Sequence, residues 1–100
     1  MKNKLFSKSK QIVYDACLIA LEKFNCKILS KDFDTGLIKA KKGVGLFAYG
    51  HAIDIGIQVK ESQKTEAIVT SNLIGIQVFG WGTDSENEEE IVKLITDIVR

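Results

Sequence analysis

A regular alternation of bulky and small or polar residues runs from Phe47 to Val59 and constrains the fold more than any other stretch. The bulky members are Phe47, Tyr49, His51, Ile53, Ile55, Ile57 and Val59. A period of two puts alternate residues on opposite faces of a β-strand. We expect the bulky face to form the floor of the hydrophobic core. The opposite face is flattened by Gly50, Ala52 and Gly56, and such a face admits a second sheet or chain.

Two stretches with apolar residues at helical spacing flank the predicted strands. The first predicts a helix from near Ser9 to Phe24, with Asn25 as a left-handed stop. The second predicts a C-terminal helix opened by a capping box, Ser85 to Glu88, in which the serine and glutamate satisfy the first backbone N–H groups.

Further strands are predicted on both sides of the alternating stretch. Cys26–Lys31 and Leu37–Lys42 surround the turn residues Asp32 to Gly36, and a fourth strand begins at Thr65. The order α-β-β-β-β-α predicts an α+β two-layer sandwich, in which a four-stranded antiparallel meander carries both helices on one face. One hundred residues make a single domain, 1–100, and the lysine-rich residues 1–8 are predicted to be flexible.

Charge is divided unevenly along the chain. Residues 1–42 contain ten lysines and four acidic residues, whereas residues 43–100 contain four basic and nine acidic residues. Four lysines are predicted to share the open face of the first hairpin: Lys27, Lys31, Lys39 and Lys41. A basic sheet face can hold phosphates, which makes weak nucleic-acid binding one hypothesis. No aromatic residue is interleaved for base stacking, and the acidic start of the last helix argues against RNA.

Aromatic residues at the ends of two neighbouring strands predict a second surface. Phe47, Tyr49, Phe79 and Trp81, with Leu46, fall at one end of the predicted sheet. Exposed apolar patches with Trp or Tyr often mark protein interfaces. The competing interpretation is that the helices cover these side chains.

The sequence predicts no catalytic, cofactor or metal site. His51 is the sole histidine, no other ligands lie near it at metal-binding spacing, and Asp54 would point to the opposite strand face. We interpret His51 as a packed residue and Cys17 as a small core residue, although sequence leaves a pairing of Cys17 with His51 open. One histidine and scattered carboxylates supply no matched acid–base pair, so we do not expect an enzyme.

The cysteines and the hydropathy pattern bear on location. Cys17 and Cys26 belong to no CxxC motif and are predicted to be free thiols. The apolar run near the start is too short for a signal peptide, and no stretch approaches the roughly 20 apolar residues of a membrane span. The expected location is the cytoplasm, or the envelope if a leader was removed.

Several short motifs resemble a group of small bacterial domains of mostly unassigned role. They are the helix end Ala20-Leu21-Glu22-Lys23-Phe24-Asn25, the Asp32 to Gly36 turn, the long strand Ala52–Val59, and Trp81-Gly82 before the last helix. The layout is similar to the repeated domains of BamC-like outer-membrane assembly lipoproteins. That resemblance implies a protein-contact module, although this sequence departs from the family by showing no lipoprotein leader.

Together these patterns predict a non-catalytic domain that binds an unknown protein partner or forms a homodimer. One alternative is a carrier that holds a small apolar ligand between helices and sheet, in a cavity lined by residues such as Phe24, Ile53 and Ile55. The other alternative is the weak nucleic-acid binding described above.

Overall fold

The computed structural model describes residues 1–42, 50–73 and 83–100. These residues form one antiparallel sheet and two helices. In chain order the elements are β1 (Lys2–Phe6), α1 (Lys10–Lys23), β2 (Cys26–Asp32), β3 (Leu37–Lys42), β4 (His51–Glu61), β5 (Lys64–Leu73) and α2 (Thr83–Val99).

The sheet has the strand order β1-β5-β4-β3-β2, with every neighbouring pair antiparallel. Strand β4, the described part of the alternating stretch, is the central strand of the five. Its residues Ile53, Ile55 and Ile57 lie in the core beneath both helices. The α+β class and the four-strand meander are therefore confirmed, whereas the sheet contains a fifth strand that the sequence pattern did not predict.

That fifth strand, β1, lies within the residues that were predicted to be flexible. It pairs with β5 from Lys2 opposite Val69 to Phe6 opposite Thr65. Phe6 points into the core and is only 4% exposed. The lysines on the same face lie at the margin of α2, where Lys4 Nζ donates to Thr96 Oγ1 at 3.0 Å. A lysine-rich sequence can therefore form an edge strand here, because one aromatic residue anchors it and the amines reach polar partners on α2.

Helix α1 follows the predicted pattern closely. Ser9 caps it, its hydroxyl oxygen accepting from the Ile12 N–H at 3.4 Å, and Asn25 takes the left-handed conformation just past its end at φ 60°. The buried side of α1 consists of Val13, Tyr14, Ala16, Cys17, Ala20 and Leu21.

The turn between β2 and β3 is attached to the central strand. Gly36 has a φ of +75°, and its N–H donates to the Asp32 carbonyl at 2.9 Å. Its own carbonyl accepts from the Ile57 N–H of β4 at 2.8 Å. A glycine is required here for two reasons: the backbone is left-handed, and a Cβ would overlap the Ile57 carbonyl oxygen.

The predicted capping box is wrong. Helix α2 begins at Thr83, two residues before Ser85, so Ser85 lies inside the helix and does not cap it. Glu88 is instead 3% exposed, and its Oε2 accepts from the Ser71 N–H of β5 at 2.8 Å. The pairing of β1 with β5 ends at Lys2 opposite Val69, so β1 does not reach Ser71. The Glu88 carboxylate therefore takes the place of a strand partner for the Ser71 N–H. The Met1 amino group lies 2.7 Å from the other carboxylate oxygen.

Candidate functional site

The face of the sheet that points away from the helices is called the outer face below. Burial alternates along β4 from Ile53 to Gln58, with Ile53, Ile55 and Ile57 buried against the helices and Asp54 and Gln58 exposed on the other side. In the described ranges both helices pack on the core side. No described helix covers the outer face, and an antiparallel sheet commonly leaves one face to solvent.

Four residues form an apolar strip across this face: Leu5, Leu37, Gly56 and Ile68. Gly56 lies opposite Ile68 on one side and Leu37 on the other, and Leu5 lies one row away on β1. Leu5 is 50% exposed and Leu37 is 53% exposed. Scattered apolar side chains are normal on a surface, but several in neighbouring positions on a bare sheet face are a candidate contact site.

The strip contains a shallow hollow of about 250 Å³. Gly56 forms its floor because it has no side chain, and Leu37 and Ile68 form its walls. The nearest side-chain atom to a Cβ added at Gly56 would be Leu37 Cδ2 at 4.0 Å, so the space is open. The hollow is large enough to take one apolar side chain from another molecule.

Polar residues border the strip on both sides. On one side Thr70, Asp54 and Lys39 form a row across β5, β4 and β3. Neither Asp54 nor Thr70 makes a side-chain hydrogen bond within the described residues, which leaves both available to a partner. On the other side Glu66 accepts from Asn3 Nδ2 at 3.1 Å and lies 3.5 Å from Lys60 Nζ.

The predicted basic face is only partly assembled. Lys39 and Lys41 lie on the outer face, and Lys27 joins them because it pairs with Lys41. Lys31 instead pairs with Ile38, a core residue, and so points to the helix side of the sheet. The cause is a register shift at Leu29, where one extra residue reverses the alternation of β2. The prediction that four lysines share one face is therefore corrected: Lys27, Lys39 and Lys41 share the outer face, and Lys31 does not.

The predicted aromatic contact patch lies outside the described residues. This applies to all four of its members, Phe47, Tyr49, Phe79 and Trp81, and that patch remains a prediction.

Neither thiol has the depressed pKa that is typical of a nucleophilic cysteine. Burial raises the pKa of the Cys17 thiol to about 12. Burial also raises the pKa of Cys26, although the nearby Lys42 ammonium opposes this effect. Lys42 itself donates to the Phe24 carbonyl at 3.0 Å, and its Nζ lies 3.9 Å from the centre of the Phe24 ring. Nucleophilic thiols have depressed rather than raised pKa values, so both cysteines are typical of packing residues.

We expect thiol labelling of the folded protein at pH 8 to modify Cys26 alone, with Cys17 reacting only after unfolding. Cys17 is fully buried and Cys26 is partly exposed. The unfolded chain releases the Cys17 proton near pH 9.0 and the folded chain near 12, so the stability that depends on this neutral thiol falls as pH rises through that window. Ellman's reagent with and without denaturant measures both classes. Rapid labelling of a Cys26→Ser variant in the native state would contradict the assignment.

A second hollow, of about 640 Å³, lies on the surface between α2 and β1. Its lining is almost entirely charged or polar, including Lys4, Glu89, Lys93, Asp97 and Arg100. Neither hollow lies between the helices and the sheet, where a carrier would hold its ligand. Of the residues named for such a cavity, Ile53 and Ile55 are fully buried in the packed core, and Phe24 packs against that core while partly buried.

Comparison with protein-family models and with curated proteins finds no match for this chain. Within the described parts of the chain, no group of three or more His, Cys, Asp or Glu residues is arranged to hold a metal ion. Neither described helix has the length and apolar character needed to cross a membrane.

Proposed function

We propose that this chain is a non-catalytic domain that binds another protein through the outer face of its sheet. The observation that carries the proposal is the apolar strip around the Gly56 hollow, on a face that no described helix covers. The resemblance to BamC-like domains implies the same kind of role.

The composition of the outer face favours a protein contact. Leu5, Leu37 and Ile68 supply apolar area, and the hollow at Gly56 supplies shape. Polar residues on both sides of the strip, such as Asp54 and Glu66, form a rim. An apolar centre with a polar rim is the usual anatomy of a specific protein interface.

The edges of the sheet are poorer docking sites than its outer face. Edge strand β2 carries exposed Lys27 and Lys31 and a register shift at Leu29, and edge strand β1 carries Lys2 and Lys4. Lysines and bulges on edge strands oppose the addition of a further strand. We therefore assign binding to the face rather than to strand addition.

A second candidate is weak phosphate binding by the three lysines that do share the outer face, Lys27, Lys39 and Lys41. Asp54 lies opposite Lys39 and offsets part of this charge. No aromatic side chain lies on the outer face among the described residues, so stacking on bases is not available there. Binding of a short single-stranded DNA that falls steeply with added salt would support this candidate over protein binding.

Site-specific photo-crosslinking in cells tests the proposed function. A photoreactive amino acid at Asp54 is expected to give a discrete protein adduct, because Asp54 is exposed beside the hollow. The matched control is Asp15, an exposed aspartate on α1, which should give little. Adding Gly56→Arg to the Asp54 probe should abolish the adduct by filling the hollow. Equal adducts from both positions, or none from Asp54, would contradict the proposal.

A further inference from the structure

We propose that the protein bound at the outer face is a second copy of this chain, packed sheet against sheet about a two-fold axis. The axis runs parallel to the strands and passes between β4 and β5. This inference rests on the proposed function, since it names the occupant of the same surface.

The first argument is complementarity of size. A two-fold axis between β4 and β5 places each outer residue of β5 over its cross-strand partner on β4 of the second copy. Ile68 pairs with Gly56 within one sheet, so in the dimer Ile68 would enter the Gly56 hollow of the other copy. Because the relation is reciprocal, both hollows are filled by both isoleucines.

The second argument is complementarity of polar groups. The same axis places Thr70 over Asp54 and Glu66 over Gln58 of the second copy, since these are also cross-strand pairs. Each pair joins a carboxylate to a hydrogen-bond donor, and no two like charges face each other in these rows. Asp54 and Thr70 have side chains that the described fold leaves without hydrogen bonds, so the dimer would satisfy both.

A neighbouring axis fails both arguments. A two-fold along β4 itself would place Gly56 over Gly56 and Asp54 over Asp54, because residues of that strand would face their own copies. The two hollows would then face each other empty, and two carboxylates would repel. A two-fold between β3 and β4 would instead place Leu37 over Gly56 and Lys39 over Asp54. We choose the axis between β4 and β5 because these are the two longest strands of the sheet, so it brings the most strand residues face to face.

The size of the face limits the surface that a dimer can bury. The five strands contain 39 residues. At a rise of about 3.3 Å and a strand spacing of about 4.8 Å, the flat face measures on the order of 600 Å², and the dimer would cover less than this because β2 extends beyond the second copy. A standard interface buries about 800 Å² on each partner. We expect a reversible dimer whose dissociation constant is micromolar or weaker, rather than an obligate one.

A residue-swap experiment tests the geometry. Gly56→Ile alone sets isoleucine against isoleucine, and Ile68→Gly alone leaves an empty pocket. Sedimentation velocity over a concentration series should show each single variant dimerising at least about tenfold more weakly than the unmodified chain. The double variant Gly56→Ile with Ile68→Gly restores the pairing in reversed form, and its affinity should return to within about threefold of the original. Circular dichroism and thermal melts confirm that each variant is folded.

Two outcomes would overturn the inference. One is an unmodified chain that stays monomeric at millimolar concentration, and the other is a double variant no better than the single ones. Failure of the dimer proposal can be distinguished from failure of the proposed function. An Asp54 adduct that contains a different protein would support binding at the outer face, but it would show that the partner there is not a second copy. An absent Asp54 adduct beside a concentration-dependent dimer would place the dimer contact away from the outer face, and would contradict both proposals.

Discussion

Replacing Gly36 with alanine is expected to lower the free energy of unfolding by at least about 2 kcal/mol. Gly36 has a φ of +75°, where a residue with a Cβ is strained. The added Cβ would also overlap the Ile57 carbonyl oxygen, so the turn must move away from β4. That movement breaks the hydrogen bond from the Ile57 N–H to the Gly36 carbonyl. Urea denaturation followed by circular dichroism measures the loss.

The matched control is Gly56→Ala, a glycine in the middle of β4. The nearest side-chain atom to a Cβ there is 4.0 Å away, and the backbone is extended. We expect a change smaller than about 1 kcal/mol, in the stabilising direction, because alanine restricts the unfolded chain. Equal losses at the two glycines would show that the attachment of the turn to β4 has been misassigned.

Replacing Phe6 with alanine is expected to cost about 3 kcal/mol of unfolding free energy, within the range usual for a buried aromatic residue. Phe6 is the only residue of β1 that is buried in the core, and it lies opposite the buried Thr65 of β5. Losing the ring removes the anchor of the strand. Amide hydrogen exchange across residues 2–6 should then speed up, and chemical denaturation measures the lost free energy.

Leu5→Ala is the control for Phe6. Leu5 belongs to the same strand but lies half-exposed on the outer face, so its truncation should cost less than about 1 kcal/mol. If residues 1–8 are frayed, as their lysines alone suggest, the two variants will have equally small effects and the exchange rates will not change.

The sequence predicted the elements whose signals are local. The helical spacing of α1, the left-handed Asn25 and the Asp32 to Gly36 turn each follow from a few adjacent residues, and the structure confirms them. Strand β1 could not be predicted in this way, because its stability comes from pairing with residues about 60 positions later. The position of Glu88 was missed for a related reason: its partner Ser71 lies on another element, and the local serine–glutamate spacing resembles a cap.

The candidate site, too, was predictable only where its signals are local. The small residues Ala52 and Gly56 were expected on one face of the central strand from alternation alone, and the structure places them on the outer face. Joining Gly56 to Leu37 and Ile68 required the register of three strands, which no single stretch encodes. Lys31 was misplaced because the extra residue at Leu29 leaves no mark in composition.

The position of β5 between β1 and β4 has a consequence for synthesis on the ribosome. Strand β1 emerges first, yet its hydrogen-bonding partner spans Thr65–Val69. Helix α2 emerges after β5, and its Glu88 accepts a hydrogen bond from the Ser71 N–H of that strand. The β1 segment must therefore stay unpaired until β5 has been made, and the Ser71 N–H gains its Glu88 partner only once that part of α2 has left the ribosome. Such long-range pairing slows folding. Lysines on an edge strand oppose pairing with other chains, and those of β1 would do so while that strand is unpaired.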